Sequence, residues 1–506
     1  MAVCGLDFGN LSMLIAQTSK GGVDVLLNDA SNRQTATCVS IQGKQRHLGD
    51  AGASMARSNV NNTITCMKRL VGLPFNHPDV QEEIKKAAFT CVELPNGNVG
   101  VSVSYDDEPM IISAEHFLAM CLVRAQQIGA AANGNAPMGD CVMAVPASYT
   151  DAQRRACYHA CEIANMNMLK VTNENNAVAL SYGIFKSAKK IFSETELSNI
   201  MFIDLGYSTY SVSIVAFKQQ NMAILSSVTN TTLGGRNYDD AIIEYAMGEF
   251  QKKTKIDLHG NKKAWLKLQV ACEKAKKTLS PAGVSEAPIN IECLAEDMDL
   301  NCILTKENFD KITQEYNDQL IAPIQQALDE AGMKSEQIFE TEIVGGGSRV
   351  NMVKRTIAKF LNLDENLNNY GLKTTMNADE AVARGCALQC AMLSSRVRVQ
   401  PFNIIDKLYY GIVATYDATS TGAEAEGAEG DASNEVKSSS AQLYNRNDDV
   451  PHKPRRLTFK KKASDFYITL SYDSTMKNEA HRHIAKYLIQ VPQGSEGKDI
   501  RVTFNI

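Results

Sequence analysis

The spacing of apolar and polar positions divides the chain in two. Through residue 393, short apolar runs trade places with stretches whose apolar positions return at helical spacing, so strands and helices should alternate in an α/β architecture. Helices are predicted over Ala114–Ile128, Thr150–Asn165, Tyr238–Thr254, Lys262–Leu279, Lys306–Ala331 and Ala378–Leu393. Thr150 or Asp151 is the natural N-cap of the second. "SSRVRVQPF" (Ser394–Phe402) is polar and ends in proline, which suits a linker or connecting strand. Beyond it, "KLYYGIVAT", "RLTFKK", "DFYITLSY", "KYLIQV" and "DIRVTFN" alternate like strands of a mostly antiparallel β-domain. Residues 421–440 have no aromatic side chain and little bulky apolar surface to offset the entropy of ordering, so a disordered acidic loop is expected there.

Composition changes this picture little. The chain has 506 residues, with 52 Lys and Arg against 57 Asp and Glu and a net charge of -5, so nucleic acid is not an expected partner. The basic cluster "HKPRRLTFKKK" reads as a solvated strand end. The 13 cysteines contain no C-x-x-C pair. Cys157 and Cys161 lie one helical turn apart, as do Cys386 and Cys390, but they lack the spaced ligand set of a zinc site, and reduced thiols in a cytoplasmic protein are expected. No basic segment leads a long apolar run at the start, and no stretch reaches the roughly twenty apolar residues of a membrane span. Neither a signal peptide nor a membrane partner is expected. The final "IRVTFNI" is strand-like with no turn after it, as if the fold were cut there and the natural protein longer.

Candidate chemistry begins with a repetition. "VCGLDFGN" (Val3–Asn10) and "MFIDLGYS" (Met201–Ser208) both run apolar residues into an aspartate, one more apolar residue and a glycine, and each is followed by a second strand pattern. A strand–turn–strand unit differs from a P-loop or dinucleotide fingerprint, where the glycine turn opens a helix. Gly9 and Gly206 would let backbone N–H groups approach phosphate, and Asp7 and Asp204 could hold a magnesium ion through its waters. One such turn is no more than a hairpin, whereas two matching copies suit a nucleotide gripped from both sides. "VGGGSRV" (Val344–Val350) supplies a third glycine turn. In "WLKLQVACEKAKKTLS", Trp265, Leu268, Cys272, Ala275 and Leu279 form the expected core face. Glu273, Lys276 and Ser280 fall on one line off that face, which alone would be a solvated surface. "TCMKRLVG" brings Lys68, whose ammonium could orient an attacking water or a γ-phosphate.

Taken in order with "NADEAVARGCALQ", these motifs resemble the seventy-kilodalton heat-shock chaperone family, whose ATPase fold is shared with actin and the sugar kinases. The resemblance covers nearly the whole chain. It implies a two-lobed actin-like ATPase domain over 1–393, a linker over 394–400 and a β-sandwich substrate-binding-like domain over 401–506. It also implies ATP or ADP with Mg2+ as the bound group. Asp7, Gly9, Asn10 and Leu11 would form the first phosphate turn, with Gly206 and Tyr207 in the second. Lys68 would be the catalytic lysine, with Glu174, Asp204 and Thr209 near the attacking water and Asp7 and Asp204 near the metal. Gly234 and Gly235 match a further phosphate contact, and Glu273, Lys276, Ser280, Gly346, Gly347, Arg349 and Asp379 match the adenosine pocket. Pro146 and Arg154 match the switch region.

The departures from that family carry meaning. Ordinary members have two threonines after the first glycine, where Asn10 and Leu11 stand here. Their second turn reads three glycines, threonine, phenylalanine and aspartate, where this chain has Gly206, Tyr207, Ser208, Thr209, Tyr210 and Ser211. Asn175 replaces the proline of their "NEP", and "SSRVRVQPF" replaces their apolar linker. Loss of the carboxylate at Ser211 should weaken positioning of metal and water, and small misplacements of reacting groups cost about a hundredfold in rate. These changes, with the "DFGN" start and the acidic insertion, resemble the hundred-and-ten-kilodalton heat-shock subfamily. That resemblance implies an ATP-binding co-chaperone that hydrolyses poorly. It would exchange nucleotide on the nucleotide-binding domain of seventy-kilodalton partners and hold unfolded polypeptide clients. The alternative is a self-contained ATP-hydrolysing chaperone.

Overall fold

The computed structural model describes residues 3–19, 22–397, 399–417, 423–424, 438–462, 465–494 and 498–506. Its contacts separate two compact units, one comprising the chain up to Met222 with Ser227–Asn403, the other comprising Ile404–Ile506 with Ala223–Ser226. Among the described residues no helix is long and apolar enough to cross a membrane.

The first unit is built on a duplicated strand pattern. β1 (Cys4–Phe8) turns back into β2 (Ser12–Ser19), which pairs with β3 (Gly22–Val25). On its other side β1 lies parallel to β4 (Asp140–Val145), a strand buried along its whole length. Helix α1 (Asp151–Ile163) then leads to β5 (Asn167–Asn173), parallel to β4, and to α2 (Glu174–Ala188). The second lobe repeats the plan: β6 (Ser198–Leu205) turns into β7 (Tyr210–Lys218). Long helices α3 (Gly235–Thr254) and α4 (Lys262–Leu279) follow, and β8 (Glu340–Val344) runs parallel to β6. Helix α5 (Ala381–Leu393) returns to the first lobe and packs on β1 and α2. α5 covers β1 and β4, the parallel pair within this lobe.

Helix α1 begins with a reciprocal cap. Thr150 Oγ1 accepts from the Gln153 amide at 3.3 Å, and Gln153 Oε1 accepts from the Thr150 amide at 3.1 Å. Of the two expected caps, Thr150 is the one used. Thr150→Ala is expected to cost about 1 kcal/mol in the urea unfolding of this unit.

Several elements differ from expectation. The single helix predicted over Lys306–Ala331 is three pieces, Lys306–Ile312, Gln314–Asp318 and Ile321–Ala331. The Thr313 hydroxyl donates back to the Phe309 carbonyl at 2.8 Å, which competes with the helix there. Pro323, which has no N–H to give, sits in the first turn of the last piece, where none is needed. α3 starts earlier than predicted, at Gly235, and α5 starts later, at Ala381.

In the second unit, Ser438–Tyr444, Ile412–Asp417, Phe466–Tyr472 and His483–Ile489 form one antiparallel sheet. Ala423–Glu424, Arg455–Lys462 and Lys498–Phe504 form another. Ala414 and Ile468 from the first meet Leu457 and Phe459 from the second in one core, so the unit is a β-sandwich. Most of the predicted acidic loop, 421–440, lies outside the described residues; Ala423–Glu424 and Ser438–Ser440 are strand. Between α5 and the sandwich, Ser394 and Arg396 both reach the carboxylate of Asp140, at 2.5 and 3.2 Å.

Candidate functional site

The two repeated stretches fold alike. In the first, the Gly9 amide donates to the Ser12 carbonyl at 3.0 Å; in the second, the Gly206 amide donates to the Thr209 carbonyl at 2.9 Å. The turns face each other across a cleft of about 560 Å³ within the first unit. Asp7, Gly9, Asn10, Leu11, Lys68, Glu174, Asp204, Gly206, Tyr207 and Thr209 all line it. The third glycine turn, following β8, adds Gly346, Gly347 and Arg349, and α4 adds Glu273, Lys276 and Ser280. Asp379 closes that side, its carboxylate accepting from Arg349 at 2.5 Å.

Gly234 stands apart from the lining. A side chain there would meet Ser208 Cα and the Tyr207 carbonyl at 2.5 Å, so this glycine lets α3 pack close behind the second turn. The next amides, of Gly235 and Arg236, donate to the carbonyls of Gly206 and Tyr207 at 2.8 Å. The helix start therefore braces the turn. Gly235 itself does face the cleft.

Charge is concentrated at one end. Lys68 and Glu174 are buried and ion-paired. Burial pushes the Asp7 carboxyl up to about 7 despite the Lys68 ammonium. Burial, with the Glu174 and Asp7 carboxyls beside it, raises Asp204 to about 8. Lys68 is held above its usual value because Glu174 and Asp7 outweigh the cost of its own burial. Three carboxyls against one ammonium leave this end short of positive charge.

The line on α4 is not a solvated surface. Lys276 is buried, donating to Asp239 at 2.7 Å and to the Gly235 carbonyl at 3.0 Å, which ties α4 to α3. Ser280 donates to the Lys276 carbonyl at 2.8 Å, and Glu273 pairs with Lys277 at 2.7 Å. Leu268, Cys272, Ala275 and Leu279 are core as predicted. Trp265 is a correction: it is half-buried and lines a second cavity, because helical spacing marks an apolar face without saying whether the neighbour fills it.

Two connections were not foreseen. Asn10 Nδ2 donates to Ser208 Oγ at 2.6 Å in a buried bond that crosses from one turn to the other. Both residues are departures from the family pattern, and each stands in a different turn. Arg154 reaches the Tyr149 carbonyl at 3.1 Å and Asn173 Oδ1 at 2.6 Å. Tyr149 in turn donates to the Lys68 carbonyl, and Asn173 directly precedes Glu174, so the start of α1 is wired to both members of the ion pair. Ser211 faces Asp204 across the hairpin and bonds Thr229 at 3.3 Å.

Residues 3–506 match the family described as Hsp70 protein. Heat shock 70 kDa protein 4 of Canis lupus familiaris is 34% identical over 100% of this chain and 57% of its own length. The 97 kDa heat shock protein of Mesocentrotus franciscanus is 34% identical over 100% of this chain and 54% of its own. Heat shock protein 88 of Dictyostelium discoideum is 38% identical over 83% and 52%. The chain thus spans about half the length of these curated relatives. Both the family resemblance and the two-lobed ATPase architecture with its β-rich partner unit are borne out. This chain belongs to the Hsp70 family of heat-shock chaperones, nucleotide-binding proteins of the ATPase fold, and its matches include that family's large heat-shock relatives.

Proposed function

We propose that this chain is a cytoplasmic, ATP-binding co-chaperone that accelerates nucleotide exchange on seventy-kilodalton heat-shock partners and holds unfolded polypeptides. In it, the nucleotide serves chiefly to keep the lobes closed. The observation that carries this is Asp204, in the cleft, paired across its hairpin with Ser211, a hydroxyl where ordinary members supply a second carboxylate, while Asp7, Lys68 and Glu174 still line that cleft.

The residues present fit ATP or ADP with Mg2+. A side chain at Gly206 or Gly346 would meet nothing nearer than 3.5 Å, so packing does not demand glycine there and the space opens to a ligand. Asn10 Oδ1 is buried without a hydrogen-bond partner and needs a donor, which a hydrated cation or a ribose hydroxyl supplies. Asp7 and Asp204 would hold the ion. Among the described residues no group of three or more His, Cys, Asp or Glu side chains is set to ligate a metal directly. That suits magnesium, which keeps most of its waters and takes phosphate oxygens. The bound ion would supply positive charge against the phosphates. Lys68 would orient the terminal phosphate, held in place by Glu174; Arg349 and Lys276 would border the adenosine.

The test is stopped-flow release of a fluorescent ADP from a seventy-kilodalton chaperone with this chain and excess ATP added. Acceleration of about tenfold or more, weakened by Lys68→Ala or Asp7→Asn, is expected. An unchanged release rate would overturn exchange activity. The buried Lys68–Glu174 pair beside Asp204 and Thr209 favours a second reading, a self-contained ATP-hydrolysing chaperone. Sustained hydrolysis coupled to client release would favour that one.

The bond between Asn10 and Ser208 should slow opening. Ser208→Gly removes it and is expected to speed nucleotide dissociation several-fold, to about tenfold at most, since one hydrogen bond contributes about 0.5–1.5 kcal/mol. A dissociation rate equal to that of the parent chain would show that the bond does not limit opening.

A further inference from the structure

A second cavity, of about 300 Å³, lies in the first unit beyond Tyr207, a residue that lines both it and the nucleotide cleft. One wall comes from the first lobe, with Phe89, Cys66 and Glu83; the other comes from α3, α4 and the loop joining them, with Met247, Leu258 and Trp265. Phe89, Met247 and Leu258 are buried, and Trp265 is the 1 tryptophan of the chain. The frame around the cavity is polar and joins the lobes. Arg236 pairs with Glu83 at 2.7 Å, Lys86 with Asp240 at 2.5 Å, and Lys262 donates to the Ala88 carbonyl at 2.8 Å. These pairings neutralise both acidic side chains of the lining and leave the ammoniums of Lys85 and Lys262 without a carboxylate in it.

We propose that this cavity is a second small-molecule site, taking a flat apolar ring system that carries one acidic group. The size is at the lower end for small-ligand pockets, which are typically about 300–1,000 Å³ with apolar walls and a few polar groups. Aromatic and aliphatic walls meet the rings, and the unmatched lysines at the rim meet the anion, where desolvation is least costly. Because the walls belong to different lobes, an occupant would touch both.

The probe is 8-anilino-1-naphthalenesulfonate, with uncharged N-phenyl-1-naphthylamine as the same rings without the acid. Trp265 lines the cavity, so energy transfer from it reports a dye bound in this part of the unit, and excess ATP tells this cavity from the adjoining cleft. Saturable one-to-one binding of the sulfonate is expected, with quenching of Trp265 and at least tenfold preference over the neutral dye. Ala88→Phe, which fills the cavity, should abolish the transfer. The Lys85→Glu/Lys262→Glu variant should erase the preference while leaving the neutral dye bound, which keeps the test decisive if the filled variant fails to fold. Equal affinity for both dyes, binding unchanged by Ala88→Phe, or displacement by excess ATP would each overturn the proposal.

Discussion

Gly385→Ala is expected to destabilise the first unit by about 3 kcal/mol, read from its urea midpoint. Gly385 lies inside α5 where that helix crosses α2, and an added Cβ would stand 1.8 Å from the Ala177 carbonyl oxygen and 2.7 Å from Ala177 Cα. Both are backbone atoms, so relief requires moving a helix. Gly5 makes the matching approach on the other side of α5, with 2.0 Å from its added Cβ to the Ala387 amide nitrogen. β1 carries Asp7 and α2 opens with Glu174, so a displaced α5 should weaken nucleotide binding as well. Gly248→Ala is the control: it is also within a helix, α3, but an added Cβ meets nothing within 4 Å. There alanine should stabilise by about 0.5–1 kcal/mol. Equal gains at both positions would mean that helix propensity, and not close packing, decides.

Asp204→Asn is expected to remove most of the magnesium dependence of nucleotide affinity while stabilising the nucleotide-free protein at neutral pH. The direction follows from the two raised carboxyls. Asp7 and Asp204 titrate near about 7 and about 8 when folded, against an ordinary value of 3.8. Between those limits the folded state holds more protons than the unfolded one, so stability falls as pH rises from about 4 to about 8. An asparagine at 204 removes part of that slope. Binding of a divalent ion should expel the protons, so magnesium nucleotide should bind more tightly as pH rises through 7 to 8. Calorimetry in buffers of different ionisation enthalpy would read the released protons. A stability profile flat between pH 5 and 8, or binding without proton release, would contradict it.

What could be read from the chain depended on whether the cause was local. The paired aspartate–glycine turns were legible because a hairpin announces itself by strand pattern on both sides of a glycine, and α4 matched its prediction, Lys262–Leu279, because its face is strictly periodic. Pro323 is a visible signal against one long helix, one that apolar spacing does not register. Buried charge was the blind spot. Lys276, Glu83 and Arg236 count as polar in any periodic pattern, yet each is buried beside a partner contributed by a different element. Ser208 and Asn10 likewise meet only because two hairpins, far apart in sequence, face each other.

The like-bonded turns explain how the chain tolerates its unusual lettering. Each loop is closed by a main-chain clasp, Gly9 to Ser12 and Gly206 to Thr209, that makes no use of the side chains between. Its curvature is therefore indifferent to what those middle positions carry. Grammar is conserved while vocabulary is free: asparagine and leucine in one copy, tyrosine and serine in the other. A lineage could rewrite the middle of either loop, trading turnover for grip, without having to refold the jaw that bears it.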